Sequence, residues 1–431
     1  MKLNFFLHRI FIIGIFFFFI NFSVAQSPSG KNDTVYLIKA DRVFDGEQMH
    51  DNWQVAVKSN KIEAVGSIEN NYPQAMVIPL KGCTLLPGLI EGHSHLFLHP
   101  YNETSWDDQV LKESDAERVA RAVVHAQKTL YAGFTTVRDL GTEGMGYADV
   151  GLKKAIEKGV IPGPRMFVAT RAIVATGSYG PKVLKDEINV LKGAAEADGT
   201  DALIKEVRTQ IGKGADVVKL YADYPWGDND EAEPTFTLDE LKTAVEVAHS
   251  SGRIVAAHAT TAEGMRRAIL AGVNTVEHGN DGTPEVFELM KQKGVAYCPT
   301  IAAVEAIAQY HGWRKGIDPE PKSVINKKKS FSDALKAGVT ICMGGDVGVF
   351  PHGDNAREME LMVEYGMKPL DVLRSATSVN ADVFKLQHKI GRLQPGLYAD
   401  MIAVTGNPAV NIHDIRNIRF VMKDGVVYVH E

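Results

Sequence analysis

Five side chains in this sequence have the types that hold a divalent metal ion, and each closes an apolar run. "PGLIEGHSH" ends in His93 and His95, "VAAH" in His258, "TVEH" in His278 and "TICMGGD" in Asp346. Imidazole and carboxylate are the ligands that suit zinc and similar borderline ions. In an extended segment residues i and i+2 point to the same side, so His93 and His95 can reach one point. A sixth residue, Lys219, sits inside the apolar run of "GADVVKLYAD". A lysine is almost never fully buried unless something pairs with it. Either this run has one solvated face, or the side chain is not an ammonium in the mature protein. The chain holds fourteen histidines. His50, His99, His125, His249, His311, His388, His413 and His430 read as surface or satisfied core residues.

The elements that must position these groups follow a repeating grammar. Between residues 130 and 346 a helical stretch, a glycine and a short apolar strand recur: "AGFTTVRD", "KGADVVKL", "SGRIVAAH", "AGVNTVEH", "KGVAYCPT" and "AGVTICMGGD". Glycine just past a helix end supplies the left-handed residue that terminates it. Helix starts are signalled by the capping-box patterns "SDAE" at 114, "TLDE" at 237 and "TAEG" preceded by Thr260. Thr283-Pro284 adds an N-cap followed by proline at the first helical position. Strands apolar on both faces and alternating with helices predict a parallel sheet. About eight such units predict an α/β chain closed into a (β/α)8 TIM barrel. "TLLPGLIEGHSH" would be its first strand, and "RMFVATR" (165 to 171) fits between the second and fourth. In such barrels the chemistry lies at the C-terminal ends of the strands. Lys219 then belongs to the fourth strand, His258 to the fifth, His278 to the sixth and Asp346 to the eighth.

The flanks have a different pattern. "VYLIKADRVFDG" and "WQVAVKSNKIEAVG" read as short antiparallel strands, as do "LYADMIAVTG" and "RFVMKDGVVYVH" at the other end. Asp424-Gly425 between apolar runs is a hairpin signal. The two flanks are expected to join as a small β-sandwich domain, from residues 26–87 and 379–431, around a barrel over 88–378.

Residues 1–25 read as a signal peptide. Lys2 and Arg9 give a positive start, residues 10–22 an apolar core too short for a membrane span, and Ser23-Val24-Ala25 the small residues of a cleavage site. The expectation is an exported protein, periplasmic or secreted, with no stable membrane span after cleavage before Gln26; the alternative is an uncleaved anchor. The 431 residues carry a net charge of −6 and no basic patch, and "KKK" at 327–329 reads as a solvated helix face, so nucleic acid is excluded as a partner. Cys83, Cys298 and Cys342 have no metal spacing and read as buried free thiols.

Together these motifs resemble the amidohydrolase superfamily of metal-dependent hydrolases, in the imidazolonepropionase-related branch that includes prolidase-like (Xaa-Pro) dipeptidases. The matching pieces are "PGLIEGHSH", "AGFTTVRDLG", "GADVVKLYAD", "VAAHA", "TVEHG", "GGDVGVFPHGDNARE" and "GRLQPGLYADMIAV", spanning residues 35–430. The resemblance implies two divalent metals, zinc by default, with manganese or cobalt also fitting. His93, His95 and Asp346 would hold one metal and His258 and His278 the second. Lys219, carbamylated by CO2, would bridge them. A buried lysine has a depressed pKa, which frees its amine for that reaction. A metal-bridging hydroxide would attack the carbonyl carbon of an amide or peptide bond, in a dipeptide or N-acyl amino acid. Asp346 would move the proton and His278 would steady the oxyanion. Two departures stand out: Glu91 replaces the usual aspartate of the first motif and is expected to face the barrel base or a neighbouring loop, and Tyr179 in "TGSYG" takes the place of a histidine.

Substrate contacts are expected from Tyr221, two residues beyond Lys219, and from Arg171, Tyr179, His352 and Asn355 in or near strand-end loops. The acidic loop "DYPWGDNDEAEPTF" lies on the same face and reads as solvated, though a cationic or peptidic substrate would suit it. Two other functions remain open at this stage. An imidazolonepropionase-like cyclic amide hydrolase would use one metal without a lysine bridge. A non-catalytic envelope protein binding metal or solute would need no proton-transfer aspartate. A homo-oligomer is compatible with either.

Overall fold

The computed structural model describes residues 34–431 apart from 183, 184 and 186. The expected signal peptide lies outside the described residues. Among the described residues no helix is long and apolar enough to cross a membrane.

Seven parallel strands carry the grammar read from the sequence: β1 (Leu89–Ser94), β2 (Phe134–Asp139), β3 (Arg165–Val168), β4 (Val217–Tyr221), β5 (Ile254–Ala259), β6 (Thr275–His278) and β7 (Ala296–Cys298). All residues of β1, β2, β4, β6 and β7 are buried, as strands covered by helices must be. Pairing falls into two parallel sheets. One is β1-β2-β3; the other runs from Ala195–Glu196 through Ile173–Val174 to β4, β5, β6 and β7. Register aligns Lys219 with Ala256, Tyr221 with His258, and His258 with Glu277.

The expected eighth strand is a correction. Residues 341–347 make only isolated parallel bridges, Ile341 to Tyr297 and Val347 to Ser94. The reason is local: a Cβ on Gly344 would lie 2.5 Å from Cys298 Sγ and 2.8 Å from His93 N, and Asp346 takes φ +63°. The chain passes too close to β1 and turns too sharply to continue a ladder.

The helix signals are realised with one variation. Thr237 and Glu240 form a complete capping box. Ser114 and Thr261 cap through their side chains alone, and Thr283 caps ahead of Pro284. Glu117 pairs with Arg121 instead of returning to Ser114.

Both ends of the chain build one eight-stranded sheet. Its order is Val426–His430, Ile418–Lys423, Met401–Thr405, Met76–Pro87, Val35–Phe44, Gln54–Lys58 and Lys61–Gly66, with Met49–Asp51 paired to Val35–Phe44. This is a single hydrogen-bonded path where a sandwich of strands was expected. Its core is Ile38, Val55, Val57, Leu85, Met401 and Phe420. Asp424 and Gly425 both take positive φ and turn the terminal hairpin. The expected boundary at 378/379 falls inside a continuous helical run, Pro369–Arg374 through Asn380–Val383. Asn380 Nδ2 donates to the carbonyls of Ile90 and Met343, so this run belongs to the parallel layer. The strand Met76–Pro87 leads into β1 through Gly88, where a Cβ would meet Thr135 Oγ1 at 2.1 Å. Only glycine lets the chain pass from the sheet into the parallel layer here. All three cysteines are free and buried.

Candidate active site

The strand ends bring the six metal-type residues together. Asp346 Oδ1 lies 3.3 Å from His95 Nε2 and 3.6 Å from His93 Nε2. Asp346 Oδ2 lies 3.9 Å from His278 Nδ1. The His278 ring sits 5.0 Å from that of His93 and 4.4 Å from that of His258, centroid to centroid. His93, His278 and Asp346 each present a ligand atom within 4.8 Å of the others. Lys219 is fully buried, and its Nζ has no hydrogen-bond partner among the described residues. Burial holds the Lys219 amine below the ordinary lysine value, against the pull of Glu277 and Asp346.

The backbone around this cluster is strained. His278 (φ +73°), Asp346 (φ +63°), Thr300 (φ +50°), Thr170 (φ +65°) and Glu143 (φ +49°) are all left-handed without being glycine. Such outliers gather where a side chain must point somewhere that ordinary geometry would not send it.

Each imidazole is oriented by a partner on its far side. His93 Nδ1 pairs with Glu277 Oε2 at 2.9 Å, and Glu277 Oε1 receives Arg138 at 2.8 Å and Thr275. Burial would raise the Glu277 carboxyl, but Arg138 and His93 outweigh it and hold it far below the usual range. His95 Nδ1 donates to the carbonyl of Gly141 at 2.9 Å. Both rings thus leave Nε2 free to face Asp346, the arrangement that fixes metal-ligating histidines. Burial opposes a proton on His95, yet the hydrogen bond and charge of Asp346 prevail and lift its pKa to about 9. For Asp346 the pull of His93 and His95 overrides burial and keeps the carboxyl well below its ordinary value. His278 Nδ1 bonds Thr300 Oγ1 at 2.9 Å, and His258 stacks on Tyr221 with centroids 4.5 Å apart. Burial, then the neighbouring positive charge, drives both His258 and His278 toward the neutral form.

Two expectations are corrected by these surroundings. Glu91 lies between the two ligand-bearing segments and not at the base or a loop. It accepts the N–H groups of His93 (3.0 Å) and Gly345 (2.8 Å) and the amide of Asn355 (3.0 Å). Burial pushes its carboxyl up to about 7. Lys327, read as part of a solvated face, is fully buried. Its Nζ donates to the carbonyls of His278 and Pro299. Burial lowers its pKa to about 7, against the attraction of Glu358. Glu358 in turn accepts the N–H groups of Ile301 and Ala302. Lysine and glutamate therefore grip both sides of the left-handed Thr300 turn.

A cavity of about 220 Å³ opens over the cluster, walled by Tyr101, Glu143, Tyr179, Tyr221, Tyr224 and Asn280. Tyr179 and Tyr221 line it. Arg171, His352 and Asn355 do not. The Arg171 guanidinium is spent on the carbonyl of Ala194 at 3.0 Å. His352 stacks on His125 at 4.3 Å, donates toward Leu98 O and lines a separate cavity. Asn355 is buried in holding Glu91. The acidic loop contributes only Tyr224 to the wall; Trp226 is 44 % exposed. Glu143, Glu277, Tyr101, Tyr224 and Thr300 went unread in the sequence. Tyr101, Glu143 and Tyr224 sit off the repeated motif, whereas Glu277, beside His278, and Thr300 each close a repeated unit.

Known proteins resemble the chain over most of its length. Residues 84–429 match the Amidohydrolase family. Ochratoxinase of Aspergillus niger is 32% identical over 398 residues, 85% of this chain and 80% of that protein. Among solved structures, a Xaa-Pro dipeptidase with methionine bound in its active site superposes with a TM-score of 0.81 at 31% identity, over 92% of this chain and 100% of the other. A prolidase complexed with N-methylphosphonate-L-proline gives 0.79 at 26%, over 92% and 100%. The A. niger ochratoxinase structure gives 0.75 at 28%, over 92% and 96%. The chain belongs to the amidohydrolase family and is a hydrolase acting on carbon–nitrogen bonds.

Proposed function

We propose that this chain is an exported, binuclear metal-dependent hydrolase of dipeptides or N-acyl amino acids. The observation that carries the reading is Lys219: a buried amine with no hydrogen-bond partner among the described residues, whose charge acts on His93, His258, His278 and Asp346. An orphaned amine is costly as it stands, and the donor set around it suits divalent ions of the zinc type. His93, His95 and Asp346 would hold one ion, His258 and His278 the other. Lys219 would join both as a carbamate, formed when its neutral amine adds CO2 and releases a proton. When bound, the metals supply an activated water and polarise the scissile carbonyl.

The chain's own residues do the rest. Asp346, kept ionised beside His93 and His95, takes the proton from the attacking water and returns it to the leaving amine. His278, fixed by Thr300, faces the developing oxyanion. Glu277 and Gly141 hold the two β1 imidazoles in register. The two parallel sheets act as one (β/α)8 barrel. Backbone bonds from Asp216 N to Val168 O and from Gly92 N to Met343 O, beside the two bridges of residues 341–347, support closure. The names of the relatives, a dipeptidase, prolidases and ochratoxinase, support an amide or peptide bond as the target.

The test is a library of dipeptides and N-acyl amino acids, screened with zinc and bicarbonate, alongside elemental analysis. We expect hydrolysis that needs about two ions per chain. Asp346→Asn should retain some metal and lose on the order of 10²–10⁴-fold in turnover. Near-normal turnover in that variant would sink the assignment.

A further inference from the structure

The wall of the cavity carries a carboxylate that the proposed chemistry does not use. Glu143 lies in the turn after β2, is 2 % exposed and takes φ +49°. Its Oε2 accepts Tyr179 OH at 2.8 Å and Trp106 Nε1 at 3.1 Å. Its Oε1 is buried and has no hydrogen-bond partner among the described residues. The nearest ionic neighbour, His95 Nδ1, is 3.8 Å away and already commits its N–H to Gly141 O. Two donors on one oxygen fix the carboxylate plane, so the open oxygen is held in place. A buried acceptor kept without a donor is costly unless a ligand supplies one.

The surroundings say what kind of donor fits. Tyr179, Tyr221 and Tyr224 form a ring cluster with centroids 4.8 to 5.7 Å apart, and Tyr101 joins them on the wall. Among the described residues no lysine or arginine lines the cavity. Aromatic faces together with a carboxylate are the set that recognises a positively charged nitrogen, and the neighbouring His95 points its Nδ1–H at Gly141 O and not at the carboxylate. We propose that Glu143 and the tyrosine cluster bind a cationic nitrogen of the substrate, so that the enzyme selects charged dipeptides over neutral N-acyl amino acids. This rests on the amide-hydrolase reading and narrows its substrate class. The nitrogen has two possible sources, the α-ammonium or a basic side chain.

Three matched substrates separate them on the metal-loaded enzyme: a free dipeptide with a neutral first residue, its N-acetyl form, and the N-acetyl form with lysine first. We expect at least one charged member to exceed the neutral one by ~10-fold in kcat/KM. Selection for the free dipeptide assigns the α-ammonium; selection for the lysine member assigns the side chain. Glu143→Gln keeps an acceptor for Tyr179 and Trp106 but turns the open position into an N–H donor. That variant should collapse the preference to within ~3-fold, mainly through KM. A wild-type preference for the neutral member overturns the inference. So does a preference that survives Glu143→Gln, or an equal loss on all three substrates with a lowered melting temperature. If none of the three is cleaved, the reading as a hydrolase of dipeptides or N-acyl amino acids fails, and binding judges the inference alone. Calorimetric titration with L-alaninamide, L-lysinamide and their α-N-acetyl forms should then show ~5-fold tighter wild-type binding of at least one charged member over N-acetylalaninamide, lost in Glu143→Gln. Equal wild-type affinities would overturn it.

Discussion

The terminal sheet and the strand-end cluster solve opposite problems with the same residue types. In the sheet the left-handed non-glycine residues Asn52, Ser59 and Asp424 sit in tight turns, where short polar side chains adopt that geometry at little cost. At the cluster the left-handed residues include two buried threonines, Thr170 and Thr300, for which the same φ is a real expense. The sheet's core is mainly apolar, with Gln54, Thr84 and Lys423 the buried polar residues of its strands. The cluster buries Lys219, Glu277, Arg138, Glu91, Lys327 and Glu358. One region is arranged for stability and the other holds charge and strain in place with the stability supplied elsewhere. If so, changes at the cluster should cost activity more than stability, and changes in the sheet the reverse.

Lys219→Met is the sharpest break. Hydrolysis should fall to background, because the proposed carbamate could not form. The metal-stripped variant should be as stable as the metal-stripped parent or gain about 1–3 kcal/mol, since an unpartnered buried amine has been replaced by an apolar chain of similar length. Chemical denaturation after chelation measures this. A large loss of stability would make Lys219 a structural residue and undo the contrast. The counterpart in the sheet is Phe420→Ala. It should cost about 3–5 kcal/mol by opening the sheet core, with kcat within ~2-fold where the protein is still folded. A collapsed kcat in folded protein would show that the sheet shapes the site.

What the sequence disclosed follows the same divide. The ligand-type residues were readable because each lies at or near the end of an apolar run in a repeated pattern, and a repeat makes position visible. Glu143 lies in the turn after β2, where nothing in the repeat fixes side-chain direction. Lys327 was misread because three adjacent lysines look solvated. Helical spacing contains the correction: Val324, Lys327, Phe331 and Ala334 share a face, and all are buried. The face, not the run, decides burial. His352 and Asn355 follow Asp346 closely in sequence, but the left-handed Asp346 redirects the chain behind the site. A backbone reversal of that kind leaves no periodic trace.

Lys327→Met tests whether an outer helix sets the cluster's geometry. The side chain keeps its length but loses both donors to the His278 and Pro299 carbonyls. The His278 turn and the Thr300 turn then lose a shared tether, and the Thr300–His278 bond slackens. The expected result is a kcat lower by ~10-fold and weaker metal retention under chelator challenge, with KM little changed, the scale seen for groups that orient ligands. A rise in KM alone would place Lys327 in substrate binding instead.

The smallest effect belongs to the junction between the two regions. Arg165, at the start of β3, reaches Asp400 at 3.1 Å and Asp424 at 2.5 Å in the sheet. Asp424 also carries the left-handed turn of the terminal hairpin and donates its N–H to Asp400 at 2.7 Å. Asp424→Ala removes the ion pair and places a Cβ without a polar partner at φ +51°. It should cost about 1–2 kcal/mol. Asp424→Asn keeps a residue at ease in that conformation and should lose under about 1 kcal/mol, the scale of a partly exposed pair. Because β3 runs from this junction toward Thr170 near the cluster, the same two variants ask whether the regions communicate. Unchanged kcat and unchanged metal retention in both would mean that the sheet holds up the parallel layer without tuning it. A kcat that tracks the two stability losses would show that strain at the strand ends is balanced through β3.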